Sequence, residues 1–332
     1  MQPSVLIAIG GNSLIRAGEL ATVAAQRANV VEICRTIAQV VSEGWRVLLT
    51  HGNGPQVGAA LLRSERAADE AYSLPLDVCV ASTQGEIGFL LQQSLGEMLQ
   101  ARHVRWPVAT VVAQVVVAAA DPAFARPTKP IGRIYFDADV EAREALGWTM
   151  IEESPHRYRR VVASPEPLEV VEEVVIRTLL NAGVIVITLG GGGIPVVRDD
   201  KRFGGVEAVV DKDLASALLA VRLGVDRFVL STDVDRIYLD FGSPRARGLI
   251  SVAADELRRH AAAGHFPGNM GPKVEAALRF VEAGGREAIV TSPDQLIAAL
   301  QRRAGTHVFA RVPAAIHDPE PVICGFGNTA ID

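Results

Sequence analysis

The sequence predicts an α/β protein with an open, mostly parallel sheet that carries helices on both faces. Short apolar runs alternate with longer helical patterns along most of the chain, and this alternation is typical of a parallel sheet. Three of the apolar runs also end in glycine-rich loops. Because ligands of such sheets bind beyond the carboxyl ends of the strands, the repeated loops predict a binding site there.

The first part of the chain contains two predicted strands, each followed by a glycine loop. Residues 5–9 lead into the loop at 10–13, and residues 46–50 lead into the loop at 51–58. Helical patterns follow, and a long apolar run reads as a further buried strand. One helix is predicted at residues 26–42, a second follows the loop at 51–58 and runs to about residue 71, and a third is predicted at 82–102. The further strand is predicted at 108–120.

The stretch 121–167 interrupts this alternation. It is rich in proline and in charged residues, with short possible strands at 131–136 and 149–152. A segment of this length in a compact domain usually has a function or structure of its own. We therefore predict a small protruding lid, and the alternative is a long decorated loop.

The second part of the chain resumes the alternation. Gly224 is a plausible end for a helix that begins near Asp211, and the residues from 313 look like a tail. Helices are predicted at 168–180, 211–223, 252–262, after Lys273, and at 293–303, and strands at 184–189, 228–231, 288–291 and, at an edge, 306–309.

Composition limits the classes of function. The 332 residues are 49% apolar and 21% charged, a globular balance. A net charge of −5 without a long basic run argues against nucleic acid as a partner. The three cysteines show no CxxC spacing, which fits a reducing cytosol and no structural zinc. No apolar stretch is long enough for a membrane span. The N-terminal apolar run lacks a basic region, so no signal peptide is expected.

The loop at residues 190–193 consists of four glycines and precedes the triplet Asp211, Lys212 and Asp213. Glycines let backbone N–H groups approach an anion. A charged triplet at a helix start close to such a loop suggests phosphate chemistry without a covalent intermediate. The alternative, an ordinary tight turn before a capped helix, stays open for the glycine run.

Lysines in unusual surroundings are the candidate catalytic groups. Lys129 lies in a rigid proline-flanked segment, Lys212 between two aspartates, and Lys273 at a predicted helix start. A lysine is a compact point charge suited to phosphate oxygens, although a lone lysine is most often solvated. Together the three could stabilise a transferring phosphoryl group. Asp211 could hold Lys212 and Lys273 in place, besides capping its helix.

Other nucleotide and hydrolase motifs are missing. The sequence has no GxxxxGK[ST] loop, no kinase HRD or DFG motif, and no zinc-protease or Ser-His-Asp signature. The motifs it does contain resemble those of the carbamate kinases, within the amino acid kinase fold, in order over residues 1–312. They are IGGN at 9–12, THGNGPQVG at 50–58, STQGEIGF at 82–89, PTKPIG at 127–132, GGGGIPV at 190–196, GVEAVVDKDLA at 205–215, TDVD at 232–235 and MGPKVEAALRFVE at 270–282.

The resemblance implies a reversible phosphoryl transfer between ATP and carbamate, giving ADP and carbamoyl phosphate. The reaction would run toward ATP in arginine catabolism, in a cytoplasmic homodimer. One domain, 1–312, would bind carbamate in its N-terminal lobe and nucleotide from about residue 168, with a lid at 122–162 and a tail at 313–332. Mg²⁺ would enter with ATP, and no dedicated metal site is expected.

The resemblance also implies roles for individual residues. Lys129, Lys212 and Lys273 would touch the phosphoryl group, and Asp211 would orient the lysines. Backbone amides of six residues would bind carbamate and the γ-phosphate, namely Gly10, Gly11, Asn12, Gly52, Asn53 and Gly54. The nucleotide would lie near Gly191, Gly192, Thr232, Asp233, Tyr238 and Met270.

The chain departs from the family pattern in places that bear on substrate and nucleotide. Arg236 stands where the family usually has glycine, Ala163 where it has proline, and Arg157 and Tyr158 where it has glycine and tryptophan. Two alternatives therefore accompany the carbamate kinase interpretation. One is a sibling enzyme that phosphorylates another small acid, and the other is a non-catalytic sensor of nucleotide or carbamoyl phosphate.

Overall fold

The structure is a computed structural model that describes residues 2–16, 18–19, 22–200 and 202–313, with only the backbone of Asn12. The predicted tail lies, from residue 314 onward, outside the described residues. The strands are β1 (Ser4–Ile9), β2 (Arg46–His51), β3 (Val108–Thr110), β4 (Gln114–Val116), β5 (Lys129–Tyr135), β6 (Thr149–Ser154), β7 (Arg157–Val162), β8 (Glu169–Val170), β9 (Ile185–Ile187), β10 (Ile194–Asp199), β11 (Arg202–Gly205), β12 (Arg227–Ser231), β13 (Tyr238–Leu239), β14 (Arg247–Gly248), β15 (Ser251–Ala253), β16 (Glu287–Thr291) and β17 (Thr306–Phe309).

Helices connect many of these strands. They are α1 (Val23–Ser42), α2 (Gly54–Arg66), α3 (Leu76–Ala101), α4 (Asp137–Glu144), α5 (Glu173–Asn181), α6 (Lys212–Leu223), α7 (Ala254–Ala262), α8 (Met270–Glu282) and α9 (Leu296–Leu300).

The main sheet has eight strands in the order β15-β17-β16-β12-β1-β2-β9-β3. Neighbouring strands run parallel except for the antiparallel pair β16 and β17. The carboxyl ends of β12, β1, β2 and β9 therefore lie side by side, and the predicted glycine loops follow three of them. This arrangement confirms the predicted fold class.

Both faces of the sheet are covered by helices. Successive side chains of a strand point to opposite faces, and in β1 Leu6 and Ala8 belong to one apolar core whereas Val5, Ile7 and Ile9 belong to another. The first core includes residues of α5, α6, α7 and α8. The second core includes residues of α1, α3 and α9. Strand β1 is buried along its whole length, which explains its unbroken apolar sequence.

The region predicted as a lid folds as a three-stranded antiparallel sheet, β5-β7-β6, with α4 between β5 and β6. The possible strands at 131–136 and 149–152 correspond to β5 and β6. Two elements were not predicted, the helix α4 and the central strand β7. Strand β7 begins Arg-Tyr-Arg-Arg, and this charged sequence hides its period-two pattern.

The long strand predicted at residues 108–120 is wrong. The run divides into β3, which joins the main sheet, and β4, which pairs with β10 and β8 in a second sheet. The same pairing corrects the helix predicted from residue 168. The Leu168 N–H donates to the Val116 carbonyl at 2.9 Å and the Val171 N–H to the Gln114 carbonyl at 3.1 Å. These hydrogen bonds hold β8 extended, so α5 begins only at Glu173.

Two smaller predictions on the last strands are also wrong. Strand β17 is not at the edge of the sheet, because β15 pairs with it on its far side. The helix predicted at 252–262 begins two residues later than expected, at Ala254. Residues 251–253 instead form the edge strand β15. Among the described residues, none of the helices is long and apolar enough to cross a membrane.

A buried charge network ties the amino-terminal ends of β12 and β16 to His307 of β17 and to Arg302. The Glu287 carboxylate is fully buried and contacts Arg227 at 2.9 Å, Arg302 at 3.0 Å and His307 Nδ1 at 2.8 Å. Burial alone would raise the pKa of Glu287, but these cationic and hydrogen-bonding partners outweigh it and lower the pKa from 4.5 to about 2.

We expect Glu287→Gln to lower the free energy of unfolding by about 3–5 kcal/mol at pH 7, because it leaves buried cations without their counterion. The stabilisation by the carboxylate is present above its ordinary pKa of 4.5 and is lost as pH falls toward 2. Urea unfolding at several pH values measures both effects. Glu282→Gln, which removes an exposed carboxylate paired with Arg258, is the control and should cost under about 1 kcal/mol; equal losses would contradict the prediction.

Candidate active site

A cavity of about 310 Å³ opens at the carboxyl ends of the central strands. The glycine loops after β1 and β2 form one wall, the lid contributes a second, and the starts of α6 and α8 contribute a third. Most of the predicted site residues meet here, as do several that were not predicted. Its lining includes Gly10, Gly11, Gly52, Asn53, Gly54, Lys129, Arg159, Gly191, Asp211, Lys212, Asp213, Ser231, Thr232, Asp233 and Lys273.

The loops after β1 and β2 touch each other through their backbones. A Cβ atom on Gly52 would lie 2.7 Å from the Cα atom of Gly11, and one on Gly10 would lie 3.1 Å from the Ser231 carbonyl oxygen. A side chain at Gly52 would therefore separate the two loops. The Asn53 side chain is buried and donates to Thr83 Oγ1 at 2.9 Å, which fixes the second loop against α3.

The four-glycine loop after β9 serves mainly as a tight turn. Of its glycines, Gly191 lines the cavity. A Cβ on Gly190 would lie 2.5 Å from His51 Cε1, and one on Gly192 would lie 2.3 Å from the Val210 carbonyl oxygen. Gly192 is buried with φ 92°. The ordinary-turn alternative thus accounts for Gly190 and Gly192, whereas Gly191 fits the predicted binding role.

Asp213 links the two lysines at the starts of α6 and α8. Its carboxylate accepts a hydrogen bond from Lys273 Nζ at 2.8 Å and another from Lys212 Nζ. Asp211 instead contacts Lys129 Nζ of the lid at 3.0 Å. The predicted direct pairing of Asp211 with Lys212 and Lys273 is therefore wrong, because the side chain two residues later points between the two lysines.

The predicted cap at the start of α6 is confirmed. Asp211 Oδ1 accepts the backbone N–H of Asp213 at 2.9 Å, as an N-cap carboxylate does. Its other oxygen, Oδ2, faces Lys129. Asp211 thus joins a helix start to the lid, and the two functions use different oxygen atoms.

The titrations of the site follow from burial and from this pairing. Burial would raise the pKa of Asp213, but Lys212 and Lys273 outweigh it and hold the pKa at about 2. For Lys212, burial and the neighbouring Lys273 lower the pKa, against the opposing effect of Asp213. His51 behind the loop is buried, which lowers its pKa to about 4. At neutral pH the imidazole is therefore uncharged and adds no positive charge to the site.

A second cavity of about 540 Å³ is lined by Tyr238, Met270, Phe241 and Phe266, among others. Thr232 and Asp233 lie in the first cavity, and Val234 lies in the second. The predicted nucleotide residues other than Gly192 are thus divided between two cavities, which the segments 232–234 and 269–273 connect. Tyr238, Phe241, Phe266 and Met270 give this second cavity an apolar and aromatic part. Such a lining suits a flat heteroaromatic ring.

Arg236 occupies part of this second cavity. Its Nε donates to Asp235 Oδ2 at 2.8 Å, and the other oxygen of Asp235 accepts from the Tyr238 hydroxyl at 2.7 Å. A Cβ on Gly248 would lie 2.5 Å from Arg236 Cδ. The missing side chain at Gly248 therefore makes room for the arginine that replaces the family's usual glycine.

The lysine content gives a signal that sequence analysis missed. The chain has 33 lysine and arginine residues, but its only lysines are Lys129, Lys201, Lys212 and Lys273. Three of these line the first cavity. In a chain that otherwise uses arginine, three lysines in one cavity indicate a site that needs compact point charges.

The chain is similar over most of its length to proteins of known family. The model of the amino acid kinase family matches residues 3–292. The chain is 44% identical to the carbamate kinase of Thermococcus kodakarensis over 92% of this chain and 98% of that protein. The chain belongs to the carbamate kinases of the amino acid kinase family. It is therefore a kinase, as the sequence predicted.

Two further similarities extend the comparison. The carbamate kinase-like protein YahI of Escherichia coli is 44% identical over 93% of this chain and 99% of that protein. The solved structure of the Giardia lamblia carbamate kinase bound to AMP-PNP superposes with a TM-score of 0.89 at 38% identity, covering 93% of this chain and 98% of that one. The family, the fold and the phosphotransferase class are thus confirmed.

We expect Asp213→Asn to lower the free energy of unfolding by about 3 kcal/mol or more, because two buried ammonium groups then share no counterion. Asp211→Asn is the matched control. It keeps the helix cap and loses only the pair with Lys129, which is 38% exposed, so it should cost no more than about 1 kcal/mol. Urea unfolding at pH 7 compares them, and a larger loss in the Asp211 variant would contradict the assignment.

Proposed function

We propose that the chain catalyses reversible phosphoryl transfer between ATP and carbamate, giving ADP and carbamoyl phosphate. The observation that carries the proposal is the convergence of Lys129, Lys212 and Lys273 on one cavity beside the glycine loops. A carbamate oxygen would attack the γ-phosphorus, and the bond from that phosphorus to the β-phosphate oxygen would break. Such transfers need alignment and charge neutralisation more than covalent chemistry.

The charges of the site support this reaction. Lys212 and Lys273 share one carboxylate, Asp213, so the trio keeps a positive charge for the transferring phosphoryl group. Asp211 holds Lys129 of the lid at the same cavity. Backbone amides of Gly10, Gly11, Asn12, Gly52, Asn53 and Gly54 would supply neutral donors, as an oxyanion hole does.

The close approach of the two glycine loops supports a small acid as the acceptor. The loops carrying Gly11 and Gly52 are in backbone contact, and the Asn53 side chain is tied to Thr83. We infer that the acceptor is a substrate with only a few heavy atoms, bound between these loops and Lys212. Carbamate is such a substrate, and the names of the relatives favour it among the small acids.

The nucleotide would extend from the first cavity to the second. Its phosphates would lie near Gly191, Thr232 and Asp233, and its base near Tyr238 and Met270. Gly192 would contribute indirectly, by allowing the backbone turn that contains Gly191. Mg²⁺ would enter with the nucleotide, held mainly by phosphate oxygens and water; the residues that the structure describes contain no cluster of three or more histidine, cysteine or carboxylate groups suited to an ion.

The remaining parts of the proposal come from the family resemblance. The domain would span 1–312, with the nucleotide lobe from about 168 and the lid at 122–162. We propose that the chain is a cytoplasmic homodimer that works toward ATP in arginine catabolism, without nucleic acid as a partner.

Two other functions were considered from the sequence. A sibling enzyme would phosphorylate a different small acid, and it is the alternative that the test below addresses. A non-catalytic homologue would bind nucleotide or carbamoyl phosphate without turnover, which the phosphotransferase class of the chain disfavours. The carbamate kinase-like protein of Escherichia coli is as similar to this chain as the carbamate kinase of Thermococcus kodakarensis. Retention of all three lysines favours turnover over sensing.

The test is ATP formation from ADP and carbamoyl phosphate with Mg²⁺. We expect the wild type to form ATP and Lys212→Ala to lose at least about 100-fold in kcat, since it removes a charged donor from the phosphoryl group. The exposed Arg259, paired with Asp255, offers a control, and Arg259→Ala should keep full activity. A wild type that binds ADP but forms no ATP from carbamoyl phosphate would contradict the proposal, and a panel of other acyl phosphates would then identify a sibling.

A further inference from the structure

We propose that Arg159, on the lid strand β7, is a further substrate-binding residue that donates hydrogen bonds to the anionic oxygens of the acyl phosphate. The inference rests on the proposed function and extends the site from the lysines to the lid. Arg159 lines the same cavity as Lys129, Lys212 and Lys273, although it belongs to a different sheet from the glycine loops.

The period of the strand separates Arg159 from its neighbour Arg160. Successive side chains of a strand point to opposite faces. Arg160 is buried, contacts Glu207 Oε2 at 2.5 Å, and lies with its guanidinium carbon 4.3 Å from the centre of the Trp148 ring. Arg160 thus holds the lid together, whereas Arg159 faces the cavity.

A bulge in the lid sheet fixes the position of Arg159. The pairing of β5 with β7 shifts register between Ile131 and Ile134, and Gly132 in this bulge has φ 71°. Arg159 Nη2 donates to the Gly132 carbonyl at 3.4 Å. Bulges next to active sites re-aim side chains, and this one places the guanidinium at the cavity wall.

The guanidinium of Arg159 has unused donors. A guanidinium carries five N–H donors, and the partners of Arg159 are distant, with Glu153 at 3.5 Å and Gly132 at 3.4 Å. Among the described residues, its buried Nε has no hydrogen-bond partner. A buried donor without a partner is costly, so an arriving oxyanion would gain hydrogen bonds that the free site does not make.

The chemistry of arginine complements that of the lysines. A guanidinium presents a planar fork that matches two oxygens of a phosphate or carboxyl group, whereas lysine supplies a point charge. Three lysines can neutralise the transferring phosphoryl group but do little to orient it. A forked donor on the lid would orient the acyl phosphate between the lid and the glycine loops.

The test measures KM separately for each substrate of ATP formation. For Arg159→Ala we expect the KM for carbamoyl phosphate to rise roughly 10- to 100-fold, as for lost hydrogen bonds to a charged group. The KM for ADP should stay within about twofold, because the proposed contact is with the acyl phosphate, whereas the ADP phosphates would lie near Gly191, Thr232 and Asp233 of the same cavity. Arg159→Lys should give an intermediate KM for carbamoyl phosphate, since it keeps the charge but not the fork.

Arg157→Ala is the matched control. Arg157 is an exposed arginine two residues earlier on the same strand, and its loss should leave both KM values unchanged. An unchanged KM for carbamoyl phosphate in Arg159→Ala would overturn the inference, as would an equal rise in the KM for ADP. If Arg159→Ala does not fold, Arg159→Lys decides by the same criteria. A wild type that forms no ATP would instead refute the proposed function itself.

Discussion

The active site depends on one shared carboxylate. Asp213 pairs with Lys212 on its own helix and with Lys273 on α8, and all three side chains are almost buried. Charged groups are buried at a high cost in free energy unless they are paired. The shared carboxylate therefore fixes how the starts of α6 and α8 approach each other, and it leaves these three side chains with one positive charge in excess. The glycine loops and the lid are arranged around that charge.

Much of the framework follows from short-range patterns in the sequence. The apolar run at β1 is buried on both faces, so its continuous hydrophobicity predicts a central parallel strand. Asp211 and Gly224 mark the two ends of α6 because capping is local chemistry. The glycine loops and the three lysines could likewise be identified from residue type and neighbours. The lysines line the cavity, as do Gly10, Gly11, Gly52, Gly54 and Gly191, whereas Gly190, Gly192 and Gly193 shape the turn.

The remainder depends on contacts between residues distant in sequence. Whether Asp211 or Asp213 holds Lys273 is decided by where α8 packs, some 60 residues later. The division of the apolar run at 108–120 depends on the partners of β4, which lie in β8 and β10. Arg159 reads as a surface charge in a basic run, and the pairing of β7 with β5, including the bulge at Gly132, places it at the cavity. Local patterns carry no information on such pairings.

The central claim is that the few lysines of this chain act together on a phosphoryl group. The chain has so few lysines that labelling their Cε atoms with ¹³C gives a simple NMR spectrum, assignable by single Lys→Arg substitutions. We predict that carbamoyl phosphate shifts the signals of Lys129, Lys212 and Lys273 together, and that Asp213→Asn abolishes the concerted response. Signals that do not move while the protein forms ATP would contradict the account, because phosphoryl transfer would then occur away from these lysines.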